Sequence, residues 1–409
     1  GAAHGDVAST PARRAPQAAR APRQGRVIRV ALAGGVAQIA VSATGAWQLT
    51  SEAGESMLLR AAPGDVWTIE RAGRLLRAVR GDGVVTAGRP APLTVRALDS
   101  GFVRVGSKRY RGEIEVLATD SGLTVVNALA IEDYLRGVVP LEIGRRTPGE
   151  MAAIEVQAVA ARSYAFTRVP SRSPRGYDVL AGPLDQVYGG VDAETALTDS
   201  AVDRTAGLVL TYGGRVVSAP YSSTCGGSTA AATELWQRTG DEPFLVRVSD
   251  RIPGTERYYC DPSPRFRWTR SYDAQSLAAT IERYLAGYAT VPPGGPGTVQ
   301  SVEVDGHTPS GRVRALVVGT ERRRYVLRGN DIRFVLRTAG GEILNSTYFS
   351  VEATRDRAGS LARLELRGAG NGHGVGMCQW GAIGRARAGQ DFRTILQTYY
   401  PGTVIAAKD

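Results

Sequence analysis

Glycine and proline occur so often in this chain that they limit its folds more than any other feature. Its 409 residues include 50 glycines and 21 prolines. Both residues are unfavourable inside helices and common in turns. The sequence therefore predicts short elements joined by many turns, and it argues against a long helical bundle. A chain of this length can form two or three domains with a sizeable core.

The first 121 residues fall into two parts of different composition. Residues 1–25 are rich in alanine, proline and arginine and have no periodicity, which predicts a disordered leader. Residues 26–121 contain alternating apolar and polar runs, such as RVIRVALAGG, separated by glycines. Alternation of this kind is typical of strands, so we expect a β-rich N-terminal module. Apolar runs stay well below the ~18 residues of a membrane span, so no transmembrane segment is expected.

Residues 122–409 mix strand patterns with short helices. A short helix is predicted over Ile131–Gly137, and the strongest helix signal follows it. There Thr147 is the expected N-cap, Pro148 occupies the first helical position, and Glu150 completes a capping box. Further on, a hairpin is expected to close at Gly213-Gly214. These patterns predict an α+β fold.

The net charge of +11 comes mostly from arginine, since lysine is rare. Such a charge suits nucleic acid, an anionic surface or an acidic polymer, and it can equally reflect a GC-rich genome. The chain has no zinc-finger spacing, no RNP motif and no helix rich in lysine and arginine. A nucleic-acid partner is therefore not expected.

Four stretches carry the scarce and reactive side chains: VVPLEIG, QAVAARSYA, YSSTCGG and GNGHGVGMCQWGA. The chain also contains NALAIEDYLRGVV, QVYGG, the SP-x-x-x-W of Ser263 to Trp268, and a closing YYPG. Together and in this order they resemble the stage II sporulation protein D (SpoIID) family, which includes the amidase enhancer LytB. The resemblance runs from about Gly122 to Ile405, and it implies a SpoIID-like catalytic core over residues 122–409.

The resemblance implies a peptidoglycan-active protein. Members of the family are lytic transglycosylases that act on glycan strands stripped of stem peptides, or are linked to wall hydrolysis. The family's catalytic glutamate corresponds to Glu142, although Ile143 and Gly144 replace the usual methionine and proline. The apolar neighbours Leu141 and Ile143 also suggest a raised carboxyl pKa, which suits a proton donor to a glycosidic oxygen. The alternative is a surface carboxylate after a turn.

The resemblance further implies a substrate groove around Glu142. Its expected substrate-binding residues are Gln157, Arg162, Tyr221, Ser223, Thr224, His373 and Gln379. Arg162 would hold the lactyl carboxylate of muramic acid or steady the charge at Glu142. Its alternative is an ion pair with Glu155 or Glu150. The histidine of the family's Y/F-H-S-T stretch is Ser222 in this chain.

The glycine-rich stretch Asn371–Ala382 is expected to turn sharply and to let a sugar approach the main chain. His373 would hydrogen-bond substrate or orient Glu142, or it would be a buried histidine that holds its own loop together. Trp380 would offer a packing or stacking surface beside Gln379.

The three cysteines leave two possibilities open. We expect a disulfide between Cys225 and Cys260, because neither lies within a predicted helix, with Cys378 as a buried thiol near the site. The alternative is a metal held by the three cysteines and His373. Some family members bind zinc in the loop after the alanine-rich helix, but here that loop (YDVLAGPLDQVY) has no cysteine or histidine. No metal and no cofactor are therefore expected.

Two functions follow from the resemblance. The first is a lytic transglycosylase that cleaves the MurNAc-GlcNAc bond with one glutamate and leaves anhydromuramic ends. The second is a non-catalytic amidase enhancer that grips glycan and activates a separate hydrolase. The expected partners are peptidoglycan glycan strands and a wall amidase. The leader and the paired cysteines favour an exported protein of the periplasm or cell surface.

Overall fold

The computed structural model of the protein describes residues 25–51, 56–169, 175–236 and 242–408. The predicted leader lies outside the described residues, apart from residue 25. The chain forms two compact units. The first unit contains the residues up to Ala130 and two short later segments, which end at Leu180 and Asp192. The second unit contains the other residues. Strands and short helices occur together, which confirms the predicted α+β class.

The first unit is built from strands that form two sheets. The strands are β1 (Val27–Val36), β2 (Gln38–Ala43), β3 (Trp47–Ser51), β4 (Ser56–Ala61), β5 (Trp67–Ala72), β6 (Leu75–Arg80), β7 (Leu93–Ala97), β8 (Val103–Val105), β9 (Lys108–Tyr110), β10 (Glu113–Thr119), β11 (Gly122–Ala130) and β12 (Val179–Leu180). One sheet has the order β12-β1-β11-β10-β7-β3-β4, and the other has the order β6-β5-β2-β8-β9. This architecture confirms the predicted β-rich N-terminal region.

Strand β11 lies inside the larger sheet. Antiparallel β1 and β10 flank it, and its burial is continuous from Leu123 to Leu129. A strand that is covered on both faces needs a nearly continuous apolar run rather than alternation. VVNALA supplies this run apart from Asn127, whose buried amide donates to the carbonyls of Arg111 and Glu113 at 2.8 and 2.9 Å. The predicted boundary between residues 121 and 122 therefore falls directly before a strand whose two partners belong to the first unit.

The second unit carries the helices. They are α1 (Ile131–Ile143), α2 (Met151–Arg168), α3 (Ala196–Arg204), α4 (Ala232–Leu235), α5 (Ala274–Tyr284), α6 (Asp331–Val335), α7 (Gln379–Arg387) and α8 (Phe392–Tyr399). Helix α2 is the most deeply buried, and it packs against α1, α3, α7 and α8. Its many alanines permit this close packing, because a small side chain lets neighbouring backbones approach.

The strands of the second unit form small separate sheets. They are β13 (Leu208–Tyr212), β14 (Arg215–Val216), β15 (Tyr221–Ser222), β16 (Arg267–Asp273), β17 (Val299–Val304), β18 (Ala315–Thr320), β19 (Arg324–Arg328), β20 (Phe349–Arg355), β21 (Leu361–Ala369), β22 (Met377–Cys378) and β23 (Val404–Ala407). Three sheets have three strands each, and β15 pairs with β22 in parallel. Helix α5 covers an apolar cluster with strands β18 and β21, through Leu277, Ile281, Leu316, Val318, Leu364 and Leu366.

Local signals in the sequence explain several element ends. The backbone N–H of Thr147 donates to Glu150 Oε2 at 2.8 Å, although the first turn there (Pro148–Glu150) is a 3₁₀ turn that leads into α2. Gly213 and Gly214 both take positive φ and close the β13-β14 hairpin, as predicted. Helix α1 continues six residues beyond the predicted end at Gly137, through Pro140 to Ile143. Gly144 ends it in the left-handed conformation.

Candidate active site

A groove of about 1040 Å³ in the second unit brings together many of the predicted site residues. The end of α1, the end of α2, the loop 183–187, the chain around β15, helix α6 and the glycine-rich stretch line it. Among the predicted residues, Glu142, Tyr221, Ser223, His373 and Gln379 line this groove.

Glu142 is held at the wall of the groove by its position in the last turn of α1. Its Oε1 accepts a hydrogen bond from the backbone N–H of Val187 at 2.7 Å. Burial raises the pKa of the Glu142 carboxyl, and the Val187 N–H opposes this rise only in part. The side chain is half-buried and helical, so the alternative of a surface carboxylate after a turn is wrong.

Gln379 fixes the backbone that carries Glu142. Its Nε2 donates to the carbonyl oxygen of Glu142 at 3.0 Å and to Oε1 of Gln157 at 3.0 Å. Gln379 is the first residue of α7, whereas Gln157 lies on α2 and is fully buried. Three helices are thus connected by one amide, directly behind the carboxyl.

Two tyrosines and a glutamine form a second support. The hydroxyl of Tyr134 donates to Gln186 Oε1 at 3.2 Å, and Gln186 Nε2 donates to the Tyr221 oxygen at 2.9 Å. Burial, followed by the negative charge of Glu142, raises the pKa of Tyr221 well above its usual value. Tyr221 therefore stays protonated. Its oxygen accepts from Gln186, so its O–H proton is not used in that bond and can be donated to another group.

His373 both lines the groove and holds its own loop. Its Nδ1 accepts from the backbone N–H of Val375 at 3.0 Å, and its ring lies 5.5 Å from the ring of Trp236. Burial and the nearby positive charge of Arg333 lower the pKa of His373 to about 4. The imidazole is therefore neutral at neutral pH, so it acts as a hydrogen-bonding group rather than as a cation.

Close backbone packing explains the glycines around His373. Strand β22 runs parallel to β15, and a Cβ at Gly376 would lie 2.1 Å from the carbonyl oxygen of Pro220. Gly376 also has a φ of +71°, which disfavours other residues. The N–H of Gly374 donates to the Ser222 hydroxyl at 3.2 Å. The residue that replaces the family histidine thus holds the glycine-rich stretch against β15.

Comparison with known proteins identifies the family of this chain. The Stage II sporulation protein family matches residues 119–212, and a domain of unknown function (DUF8618) matches residues 230–376. Stage II sporulation protein D of Bacillus subtilis is 30% identical over 69% of this chain and 76% of that protein. This chain belongs to the stage II sporulation protein D family.

Two further relatives of this SpoIID-family chain are informative. An uncharacterized protein of Brachyspira hyodysenteriae is 30% identical over 75% of this chain and 74% of that protein. The Amidase enhancer of Bacillus subtilis is 28% identical over 67% of this chain, but the match covers only 40% of that longer protein.

The structure corrects the role predicted for Arg162. This side chain is fully buried in the SpoIID-family core and forms a bidentate ion pair with Glu132, with both distances 2.8 Å. Its remaining N–H groups donate to Thr205, Leu208 and Val202. Both the predicted substrate contact and the alternative pairing with Glu155 or Glu150 are wrong, because every donor of the guanidinium is used elsewhere.

Three other predicted residues lie outside the groove lining. Gln157 supports Gln379 from the core and does not face substrate space. Thr224 is buried, and its backbone exchanges hydrogen bonds with Asn371 at 3.1 and 2.8 Å. Trp380 contacts Arg146 and Arg387, whose guanidinium carbons lie 5.3 and 6.0 Å from its ring centre. These residues position the site from behind.

The cysteines do not form the predicted bond in this structure. Cys225, Cys260 and Cys378 are all buried and free, and the sulfurs of Cys225 and Cys260 are 3.6 Å apart. His373 is not part of this group, because its Nδ1 faces Val375. Asp250, which no sequence motif marks, lies beside the sulfurs instead.

Several groove residues could not be identified from motifs alone. Tyr164 and Asp185 line the groove, and the Tyr164 hydroxyl donates to Asp185 Oδ1 at 2.7 Å. Tyr164 belongs to the motif QAVAARSYA and Gln186 is the first residue of QVYGG, so both motifs were visible in the sequence although the roles of these residues were not. Arg168, Arg333 and Arg337 also line the groove, and no sequence signal marked them.

None of the helices in the described ranges is long and apolar enough to cross a membrane.

Proposed function

We propose that this protein is a peptidoglycan lytic transglycosylase with Glu142 as its single acid and base. Its substrate would be peptide-stripped glycan, cleaved at the MurNAc-GlcNAc bond to leave anhydromuramic ends. The observation that carries this proposal is the Glu142 carboxyl itself, which faces a large groove and has a raised pKa. The similarity of this chain to relatives named Stage II sporulation protein D and Amidase enhancer supports a role in cell-wall remodelling.

The reaction needs one carboxyl that gives a proton and then takes one back. Protonated Glu142 donates its proton to the glycosidic oxygen, and the bond from that oxygen to the anomeric carbon breaks. The C6 hydroxyl of the same muramic acid attacks the anomeric carbon and loses its proton to the Glu142 carboxylate. Because the nucleophile belongs to the substrate, its effective concentration is high and a second carboxylate is unnecessary. Most other glycosidases require two carboxylates.

The groups around Glu142 suit this sequence of proton transfers. The Val187 N–H fixes one carboxyl oxygen, so the other is left to face the substrate. Gln379 holds the carbonyl of Glu142 and restrains the end of α1. Tyr221 lines the same groove and offers its hydroxyl to the sugar, while neutral His373 lines the groove beside it. A positioned acid of this kind contributes about 10²–10⁴-fold to the rate.

Positive side chains in the groove can meet the lactyl carboxylates of stripped glycan. Arg168 and Arg337, which line the groove, take this role in our proposal, in place of the buried Arg162. Arg168 is exposed and lies 4.7 Å from the ring centre of Tyr164. An arginine that is already stacked on a ring loses less freedom when it binds a carboxylate.

The test is product analysis with peptide-stripped glycan as substrate. Purified protein should release fragments with anhydromuramic ends, detected by mass spectrometry. Glu142→Gln should lower the rate by about 10²–10⁴-fold, since the amide cannot donate an acidic proton. Glu242→Gln is the matched control, because Glu242 is another carboxyl that lines the groove. Two results would contradict the proposed mechanism. One is an equal loss of cleavage rate in both variants, and the other is products with hydrolysed, reducing ends in place of anhydromuramic ends.

A second candidate function is that of a non-catalytic amidase enhancer, which the similarity to the Bacillus subtilis Amidase enhancer favours. In that case wild-type protein and Glu142→Gln would both retain glycan and neither would cut it. Both would also accelerate peptide release by an added wall amidase. Either function has its substrate in the cell wall, so we propose that the protein is exported to the periplasm or cell surface.

A further inference from the structure

Four buried side chains from separate parts of the second unit converge at one point. They are Cys225, Asp250, Cys260 and Cys378, and their sulfur and carboxylate oxygen atoms all lie within 4.8 Å of one another. Cys225 follows β15, Cys378 ends β22, and the other two lie in the segment between α4 and β16. None of the four lines the groove. The proposed glycan chemistry therefore leaves this cluster unexplained.

We propose that these four residues form a structural zinc site, in which three thiolates and one carboxylate oxygen bind the metal. Zinc binds sulfur at about 2.3 Å and carboxylate oxygen at about 2.0–2.2 Å, in a tetrahedron. In such a tetrahedron two sulfurs lie about 3.8 Å apart, and a sulfur and an oxygen about 3.5 Å apart. The observed separations are 3.6 Å from Cys225 Sγ to Cys260 Sγ and 3.3 Å from Cys225 Sγ to Asp250 Oδ2.

The surroundings of Asp250 leave one oxygen for the metal. Its Oδ1 accepts from the Tyr399 hydroxyl at 2.6 Å and from Arg385 Nη2 at 3.2 Å. Its Oδ2 instead faces Cys225. A metal-binding carboxylate is commonly oriented by hydrogen bonds to its other oxygen. The carboxylate also packs directly over Gly381, where a Cβ would lie 2.1 Å from Oδ2.

Backbone donors around Cys378 are placed to stabilise a metal-bound thiolate. The N–H groups of Cys225 and Gly381 both point at Cys378 Sγ, at 3.2 and 3.3 Å. Cys378 is also the N-cap of α7, so its sulfur lies at the positive end of that helix. Hydrogen bonds from backbone N–H groups to sulfur stabilise the anionic ligand that zinc requires.

Charge balance supplies an independent argument. Three thiolates, one carboxylate and Zn²⁺ carry a net charge of −2. Two buried arginines lie next to the cluster: Arg385, which pairs with Asp250, and Arg312, which donates to the carbonyl of Cys225 at 3.2 Å. Arg312 is only 1% exposed, and its Nε and Nη1 have no hydrogen-bond partner among the described residues. A buried cation needs compensating negative charge, and the metal cluster would supply it together with Glu234.

A disulfide accounts for less of this arrangement. A bond between Cys225 and Cys260 requires sulfurs about 2.05 Å apart, and it would leave Cys378 and Asp250 buried beside it without a purpose. The zinc site uses all four groups. It would also tie β15, β22 and the start of α7 together, and these elements carry Tyr221 and Gln379 to the groove. The metal is thus closed off by protein ligands and supports the site from behind.

The first test measures metal in the full-length chain, purified under reducing conditions without chelators. We expect about one zinc per chain by plasma mass spectrometry, as a site with four protein ligands predicts. Replacement by Co²⁺ should give the strong visible bands and sulfur charge-transfer absorption of a tetrahedral thiolate site. These two measurements need neither a variant nor enzymatic activity. Their outcome is therefore independent of whether the protein cleaves glycan.

Variants then assign the ligands. Asp250→Asn and Cys260→Ser should lower zinc retention against a competing chelator by at least about tenfold. Asp261→Asn is the matched control, because this neighbouring carboxylate pairs with Arg257 and does not belong to the cluster. Metal-free protein that takes up no cobalt would overturn the proposal. Zinc retained equally by all three variants would overturn it as well.

Discussion

The Glu142 carboxyl is subject to two opposing effects. Burial in the groove wall disfavours its charged form, whereas the N–H of Val187 stabilises that form. The net result is a raised pKa, so burial is the larger effect. A general acid benefits from this outcome, because a larger fraction of the enzyme carries the proton at any given pH.

The pH dependence of glycan cleavage should follow from this shift. We expect kcat/KM to be high on the acidic side and to fall by about tenfold per pH unit above the pKa of Glu142. The midpoint of the fall should lie above the ordinary glutamate pKa of about 4.3. The measurement is the rate on stripped glycan across a pH series, on protein shown to stay folded at each pH. A midpoint at or below the ordinary value would show that burial does not control this carboxyl.

Stability should respond to the same residue with a defined sign. Because the folded-state pKa of Glu142 is raised, the folded protein holds this proton more tightly than the unfolded chain does. The resulting stabilisation is present at low pH and is lost as pH rises through the folded-state pKa. Glu142→Gln should therefore raise the free energy of unfolding at pH 7, by about 0.5–2 kcal/mol. The gain should shrink below about pH 4.3, where the carboxyl is protonated in both states.

Urea unfolding at pH 7 and pH 4 measures this difference. Glu256→Gln serves as the control, because its side chain is 90% exposed and such a change is usually worth less than about 0.5 kcal/mol at any pH. If Glu142→Gln destabilised the protein at pH 7, the carboxylate would be making favourable contacts that outweigh its burial.

Single residues were only partly predictable from motifs. Glu142, Tyr221 and His373 were expected at a shared groove, and they line one. Arg162 and Gln157 belong to the same motifs but face the protein interior. The sequence shows that Arg162 and Gln157 belong to a motif on α2, but it does not show which face of this helix other helices bury. That side depends on α1, α3, α7 and α8, which pack around α2 from distant parts of the chain.

Among the elements, the parallel pair of β15 and β22 connects the groove with the proposed metal cluster. Each strand has only two residues, so few backbone hydrogen bonds join the pair. Close backbone packing at glycine provides additional contact between the two strands. The N–H of Met377 donates to the carbonyl of Pro220, and Gly376 leaves room for this contact.

Gly376→Ala should therefore be strongly destabilising. The new Cβ would overlap the Pro220 oxygen and impose a left-handed backbone on alanine, which together should cost more than about 3 kcal/mol. Gly389→Ala is the matched control, because Gly389 also has a positive φ of +83° but has open space at the Cβ position. The control should lose only about 1–2 kcal/mol from backbone strain. Equal losses in the two variants, measured by chemical unfolding, would mean that the contact with Pro220 contributes nothing.

Elements with strong local signals were predicted well. The capping pattern of Thr147 and Glu150 was recognisable in the sequence, and the N–H of Thr147 donates to Glu150 Oε2 at 2.8 Å. The extension of α1 through Pro140 was missed, because proline inside a helix is normally unfavourable. Helix α8 packs on α2, and a local sequence pattern does not reveal a contact between such distant parts of the chain.

At the scale of the whole molecule, the chain does not pass through its two units in a single order. After Ala130 it enters the second unit, then returns to the first for β12 and again for a turn ending at Asp192. A composition change could locate the β-rich module, but these returns leave no mark on composition. Strand β12 has only two residues, which is too short for any periodic pattern.

The position of the boundary is the part of this organisation that can be tested. A fragment of residues 122–409 would keep β11 but lose β1 and β10, both of its partners. Seven consecutive residues of β11 that are buried in the intact protein would then be exposed on an unpaired strand. Exposed apolar strands with free edges promote aggregation. We therefore expect residues 122–409 to aggregate and residues 131–409 to be more nearly monodisperse.

Size-exclusion chromatography with light scattering, on both fragments expressed and purified in parallel, distinguishes the two boundaries. Both fragments retain β12 without its partner, so that shared defect cancels in the comparison and leaves β11 as the difference. If residues 122–409 proved as monodisperse and as stable as residues 131–409, β11 would tolerate the loss of its sheet. The boundary predicted at residue 121 would then be the better description of the folding unit.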